Sequence, residues 1–372
     1  MKSLHLASIP TLTGAAEPAV DLVRGLRQLG VDADLRIDTF RRGNLKEILE
    51  QAGETVNEDL SLSTKSMPWA VAKDWMRLRR LVSAYELVHT HLSHDHALAF
   101  FARGLKTRPI IVRTVHAARM LTDHPGRKWL LGKTDAVVVA CQTHQRFLQE
   151  RVGLKPDRIL VDGGCVDGER FHPDSEARLR ARSELGVGSD IFLLGCVSRF
   201  QAGRRHEVLL EALAKARATQ KTLRLALIGH GETEQQLRSL VKELGLQDAV
   251  LFTGYKRNDL NDYLSALDAA VWMVPGNDAT SRAVLQAMAA GLPVIGGRVD
   301  AIAEAIVEGE TGLLIDPDQV ESAINGLLKM TADRERARAW GEAGRKRALS
   351  EYDSTSRAKR MLSFYQRLMS NS

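Results

Sequence analysis

The chain has 372 residues, 44% hydrophobic and 26% charged, with 29 glycines and 10 prolines; at roughly 100–200 residues per domain this suggests two domains, and collagen-like or disordered chains are excluded. The net charge of +6 lies wholly in residues 1–165, which hold 24 Lys+Arg against 18 Asp+Glu, whereas residues 166–372 hold 28 of each. A basic half points to a polyanionic or membrane-surface partner, or to no more than scattered surface charge, and an aromatic content of 5% disfavours nucleic acid.

In chain order, Leu4–Ser8 reads as a short apolar strand, followed by the loop Ile9–Ala15. A helix from about Glu17 to Leu29 carries its apolar face at Val20, Val23, Leu26 and Leu29 and stops at Gly30. Val31–Ile37, Glu86–Thr90, Ile110–Thr114 and Ala136–Ala140 are apolar runs of strand length, with helix-period segments such as Ala70–Val82 between them. The rhythm breaks between Asp162 and Pro173 and then restarts with strands Ile191–Val197, Leu223–Ile228, Val250–Phe252, Ala269–Val274 and Pro293–Ile295. Helices are expected from about Glu207, over Thr233–Leu244 and over Arg282–Ala290, and the tail from Thr331 to Ser372 is charged and helical in pattern. This is the alternation of two parallel, doubly wound sheets with a hinge near 163–175, and open parallel sheets bind ligands beyond the carboxyl ends of their strands. No uncharged apolar run approaches the roughly 18–20 residues that span a bilayer, and the apolar stretch at the N-terminus is too short for a secretory signal. With three cysteines outside any C-x-x-C pair, the chain reads as cytoplasmic.

Three loops carry chemistry. After the strand ending at Val274 comes Pro275-Gly276-Asn277-Asp278-Ala279-Thr280-Ser281, in which Thr280 or Ser281 caps the next helix. The start of that helix is a seat for a phosphate, and Gln286, one turn after Arg282, can reach back toward it; a plain βα connection with a good cap is the other reading. Ser198–His206 places Arg199, Arg204 and Arg205 in one loop at a strand's carboxyl end, where guanidinium groups suit phosphate oxygens. Gly229-His230-Gly231 begins like a dinucleotide fingerprint, but the third glycine position is Glu234, which disfavours a nicotinamide dehydrogenase.

The run Gly195-Cys196-Val197-Ser198-Arg199-Phe200, then Leu227-Ile228-Gly229-His230-Gly231-Glu232, Phe252-Thr253-Gly254-Tyr255 and Gln286-Ala287-Met288-Ala289-Ala290-Gly291-Leu292-Pro293-Val294-Ile295, closing with Gly309-Glu310-Thr311-Gly312-Leu313-Leu314-Ile315, resembles glycosyltransferase family 4. The first half is similar more loosely, through Gly14-Ala15-Ala16-Glu17, Val88-His89-Thr90-His91, Arg113-Thr114-Val115-His116 and Val166-Asp167 to Phe171. The resemblance implies a GT-B architecture, with two Rossmann-like domains facing across a cleft. Residues 1–170 would form the acceptor-side domain, 171–351 the nucleotide-sugar domain, and a helix over about 352–372 would pack back on the first. It further implies a retaining transfer of sugar from a nucleotide-diphosphate sugar, without metal or other cofactor, to a cell-envelope acceptor such as lipopolysaccharide core or a lipid-linked saccharide. On that resemblance Arg199 and Arg204 hold the donor diphosphate together with the helix start at Ser281, Arg282 and Ala283. Asp278 contacts the donor sugar and Gln286 the ribose. Gly14 belongs to the loop approaching donor and acceptor, and His116 lies near the reacting carbon. The family has Lys, Glu and Glu where this chain has Arg204, Asp278 and Gln286, and a glycine where it has Ala279. These departures leave room for a weakly active or non-catalytic nucleotide-sugar-binding homologue.

His89-Thr90-His91-Leu92-Ser93-His94-Asp95-His96 comes near the metallo-hydrolase pattern H-x-H-x-D-H but misses it in both registers, so a zinc-dependent hydrolase is the alternative of a different class. Asp32-Ala33-Asp34 reads as the polar start of a strand. Residues 67–80 put Trp69, Trp75 and four basic residues in a helix-period segment, which suits an anionic membrane interface. Equally, Trp69, Ala72 and Met76 make a core stripe.

Overall fold

The computed structural model describes residues 1–12, 16–63, 67–256, 258–275 and 281–371. It forms two compact units, one of residues 1–164 with 354–372 and one built mainly from 165–276 and 280–353. The first holds β1 (Lys2–Ala7), α1 (Ala16–Gln28), β2 (Asp32–Ile37), α2 (Leu45–Gln51), α3 (Pro68–Leu81), β3 (Leu87–Thr90), α4 (Ser93–Arg103), β4 (Ile110–Thr114), α5 (Pro125–Lys133), β5 (Ala136–Val139), α6 (Gln142–Phe147) and β6 (Ile159–Val161). The second holds α7 (Ser175–Glu184), β7 (Phe192–Val197), α8 (His206–Ala216), β8 (Leu223–Ile228), α9 (Glu234–Glu243), β9 (Val250–Gly254), α10 (Leu260–Ala266), β10 (Ala269–Trp272), α11 (Arg282–Ala289), β11 (Val294–Gly297), α12 (Asp300–Ala305), β12 (Gly312–Ile315), α13 (Val320–Ala332) and α14 (Arg334–Glu351). The last helix, α15 (Ser354–Ser370), returns to the first unit.

Each unit carries one six-stranded parallel sheet, in the orders β2-β1-β3-β4-β5-β6 and β12-β11-β10-β7-β8-β9. Helices cover both faces of each. In the first, α1, α2 and α15 pack on the face of Ala7, Leu87 and Val112, and α3 and α4 on the face of Leu4, Leu6, Val88 and Ile111. Strands buried on both faces must be apolar at consecutive positions, so Ile110–Thr114 and Leu223–Ile228 are strands from end to end as their composition predicts.

The segment 165–170, read with the first half, belongs to the second unit. Val166 and Phe171 are buried in its core, and the Val166 N–H donates to the Tyr352 carbonyl at 2.7 Å. In α3 the stripe of Trp69, Ala72 and Met76 is not core: Trp69 is 69% and Met76 52% exposed. The inner face is instead Leu78 and Asp74, whose carboxylate accepts the N–H groups of Ser61 and Leu62 at 3.0 and 2.9 Å.

Candidate functional site

In the second unit, the chain leaves β7 through Ser198–Arg205. The Phe200 ring anchors this loop. It is fully buried and lies edge-on to His206 and Phe252, at 5.5 and 6.1 Å between centroids. Next to it runs the β8–α9 loop: the Phe200 N–H donates to the His230 carbonyl at 3.1 Å, and Thr233 N–H donates to the Phe200 carbonyl at 3.2 Å. A Cβ on Gly231 would sit 2.1 Å from the Phe200 carbonyl oxygen and one on Gly229 2.0 Å from that of Ser198. The two glycines of the failed fingerprint thus allow two ligand-end loops to touch.

Arg204 is half-buried. Its guanidinium donates to the Pro275 carbonyl at 2.6 Å and to Gln201 Oε1 at 3.3 Å, tying the β7–α8 loop to the one after β10. Burial pulls its pKa below the ordinary arginine range, and the like charge of Arg199 adds to the effect. Arg199 is exposed, and no side-chain hydrogen bond holds it among the described residues. These two guanidinium groups thus belong to one loop and repel one another. Arg205 departs from the expected trio. It sits in the left-handed region at φ 61° and pairs with Asp318 at 2.5 Å. His206, behind the loop, is held neutral at about 4 by burial and by the Arg204 charge.

At the start of α11, Ser281 occupies the cap position with φ 52°, but its side chain makes no capping bond. Its Oγ is buried without a partner, because the left-handed backbone turns the side chain from the helix's first N–H groups. Ser281 is thus not the side-chain cap, and Thr280, the other expected cap, lies outside the described residues. Arg282, Ala283 and Gln286 are half-buried on this first turn and a half, and the Gln286 amide makes no side-chain hydrogen bond among the described residues. Asp278 and Gly14, two of the expected donor-site residues, lie outside the described residues.

In the first unit, His116 follows β4 and is buried, with its Nε2 3.1 Å from His91 Nδ1. It ends a stack of four histidines that sequence reading missed. His5 and His89 are register partners on β1 and β3; His89 and His91 stack at 4.5 Å, and His91 and His116 at 5.4 Å. His89 is further held by Thr114 Oγ1 at 2.6 Å and by the Tyr365 hydroxyl of α15. Burial, with neighbouring imidazoles and arginines, keeps His89 and His91 well below the usual histidine range and His5 at about 3. Beside the stack, Asp95 accepts N–H groups from Ser8, His91, Leu92 and His96. Burial lifts it to about 7 against the pull of Arg113 and of these donors.

The run His89–His96 does not converge as the hydrolase alternative requires. His96 sits on α4 and pairs with Thr134 Oγ1 at 2.7 Å, while His89 and His91 join His5. Those three bring one ring nitrogen each within 4.8 Å, yet no carboxylate joins them among the described residues. Arg27, Arg113 and Arg357 all raise the potential there, which favours neutral imidazole over a bound cation.

Residues 12–170 match the family model "Glycosyltransferase Family 4" and residues 178–347 the model "Glycosyl transferases group 1". A GDP-mannose-dependent alpha-(1-6)-phosphatidylinositol monomannoside mannosyltransferase of Mycobacterium tuberculosis is 30% identical over 312 residues, 78% of each chain. The chain belongs to glycosyltransferase family 4. A D-inositol 3-phosphate glycosyltransferase of Stackebrandtia nassauensis is 29% identical over 68% of this chain and 61% of its own length. The Mycolicibacterium smegmatis mannosyltransferase of the same name as the tuberculosis protein is 31% identical, and the match spans 53% of each. Among solved structures, Anabaena Alr3699/HepE in complex with UDP superposes with a TM-score of 0.82 at 20% identity, over 98% of this chain and 100% of that one. A Rickettsia africae glycosyltransferase gives 0.82 at 17% identity over the full length of both. This family member therefore has the GT-B fold.

Proposed function

We propose that the chain transfers a sugar, with retention, from a nucleotide-diphosphate sugar to a hydroxyl acceptor. The observation that carries this reading is the loop pair at the carboxyl ends of β7 and β10. There Arg199 and Arg204 present two guanidinium groups from one loop, and the start of α11 adds helix-terminal N–H groups and the unpartnered Ser281 hydroxyl. Donors fixed in advance around a diphosphate stabilise the charge that develops as it departs. In this reading Asp278 and His116 meet the transferred sugar, Gly14 the donor, and Gln286 the ribose. The diphosphate's charge is met by arginine and helix start, so no metal is required. For the acceptor we propose a phosphorylated polyol or a lipid-linked saccharide, in place of the lipopolysaccharide core. The relatives are named for phosphatidylinositol monomannoside and inositol 3-phosphate, and the charge of the first half suits such an anion.

A ligand-stabilisation screen against UDP-, GDP- and ADP-sugars tests the reading. At a donor concentration 100 times Kd the gain is about 2.7 kcal/mol, so one nucleotide should raise Tm by several degrees. No shift with any of the three would overturn it.

Gln286→Glu should tighten donor binding about fivefold, since a carboxylate accepts from ribose hydroxyls more strongly than an amide by about 1 kcal/mol. Calorimetry showing weaker binding would mean that the position is tuned to the amide.

The exposed face of α3 joins Trp69 and Met76 to Lys73, Arg77, Arg79 and Arg80. We propose that it meets an anionic membrane, which gives access to a lipid-linked acceptor. No helix among the described residues is long and apolar enough to cross a bilayer, so such contact would be interfacial. At about 1 kcal/mol per basic residue near the surface, the protein should sediment with anionic vesicles at low salt and be released by high salt. Recovery in the supernatant at low salt would end this part of the reading.

A further inference from the structure

The first unit carries a basic concavity at the amino ends of β3 and β4. Arg79, Tyr85, Arg103, Lys106, Arg108 and Pro109 line it, and its volume is about 240 Å³. Because β4 separates Pro109 from His116, the cavity lies roughly 20 Å along the strand direction from the carboxyl-end face of the same sheet. It is therefore no part of the donor or acceptor positions considered above.

Four cationic side chains surround this small space. Arg103 is 8% exposed and pairs with Asp135, and its Nε finds no partner. Arg108 donates to the Met369 carbonyl at 3.2 Å. Arg79 lies over the Trp75 ring at 5.4 Å, and neither it nor Lys106 makes a side-chain hydrogen bond among the described residues. Part of this charge answers the helix ends, since Arg79 and Arg103 lie in the last turns of α3 and α4. A helix C-terminus is worth only about half a negative charge. Asp135 and the ends of α3, α4 and α15 together leave the pocket with positive charge in excess.

We propose that this pocket binds a phosphate ester, held by Arg79, Lys106 and Arg108 with Arg103 behind them. Several guanidinium groups and an ammonium lining one small cavity can satisfy the three or more oxygens of a phosphate, whereas a carboxylate offers only two. The ester's source is either a soluble metabolite or a lipid headgroup. Phe101 and Leu105, 54% and 106% exposed, lie on α4 and in the loop after it.

The test uses the full chain and the double variant Arg79→Gln/Lys106→Gln, whose two positions are exposed and carry no buried bond. Glycerol 1-phosphate is titrated by calorimetry, with Arg204→Ala as a control for binding at the diphosphate loop. The double variant should bind it at least tenfold more weakly, and Arg204→Ala should bind it as the wild type does, which identifies a soluble ester. If glycerol 1-phosphate does not bind, phosphatidylglycerol vesicles replace it. The double variant must then lose more affinity than Lys73→Gln/Arg77→Gln, which removes the same charge from α3 outside the pocket, and that result identifies a lipid headgroup. Equal loss in the two vesicle arms, or glycerol 1-phosphate binding unchanged by the double variant, overturns the proposal and leaves these charges to the helix ends.

Discussion

Lowering the pH from 6.5 to about 4 is expected to unfold the first unit while the second is still folded. His5, His89, His91 and His96 are buried and prefer the neutral form, and their pKa values in the folded chain lie well below the 6.5 of an exposed imidazole. Below pH 6.5 the unfolded chain therefore binds protons that the folded chain refuses. The stability these residues contribute is complete above 6.5 and falls as the pH drops toward their folded values. Asp95 acts in the opposite sense. Raised to about 7, it holds a proton in the folded state that the unfolded chain releases above 3.8, which offsets one of the four. His94 is also lowered by burial, so the net difference is at least three protons, and at about 1.4 kcal/mol per pH unit each the slope is about 4 kcal/mol per pH unit or more. A total stability of about 5–15 kcal/mol is exhausted within about one to four pH units at that slope. The second unit has His206 alone in this condition among the described histidines with a resolved shift. Amide hydrogen exchange should accordingly accelerate far more in β1, β3 and β4 than in β7 and β8 between pH 7 and 5. His5→Leu, which removes one titrating group and an unpartnered Nδ1, should flatten the slope by about one proton. Equal acceleration in both sheets would mean that the stack is not held neutral.

Arg204→Ala should weaken donor binding about 10- to 150-fold, the loss of one hydrogen bond to a charged group worth about 1.5–3 kcal/mol. The same change frees the Pro275 carbonyl, now 2.6 Å from the guanidinium, so a modest fall in Tm should accompany it. Arg204→Lys separates the two effects. It restores the charge, as the family's own residue, without the two-pronged grip on Pro275 and Gln201. Donor affinity should therefore largely return in Arg204→Lys while Tm does not. Unchanged nucleotide affinity in Arg204→Ala, measured by calorimetry, would remove this loop from the donor site.

The strand runs and the loops after them were legible because each is a local property. Burial on both faces writes itself as consecutive apolar residues, and a turn writes itself as glycine, proline and asparagine. The motif spacing between Gly195 and Ile315 is likewise local, and it carries the family resemblance. α7 escaped notice because its buried face is Ala177, Ala181 and Arg182 rather than a large apolar stripe. Arg182 lies there because it reaches the Ala266 carbonyl and Asp268 at 2.9 and 3.2 Å, partners more than eighty residues away. The outward turn of Trp69 and Met76 was decided in the same way, by the Asp74 carboxylate holding the opposite side of α3 to residues 61–62.

By itself the sequence determined two parallel α/β units, their strand cores and the arginine loop at the end of β7, since each needs only neighbours along the chain. Tertiary structure alone decided that Arg205 leaves the arginine trio for Asp318 and that Ser281 keeps a free hydroxyl. It also decided that His5 joins residues 89, 91 and 116 in one stack, and that α15 returns to the first unit through the buried pair Arg357–Asp162 at 2.6 Å. Ser281 owes its free hydroxyl to its own left-handed backbone, and the other three share one reason. Strand order and the path of the last helix bring together groups up to about two hundred residues apart, and no local periodicity encodes which of them will meet.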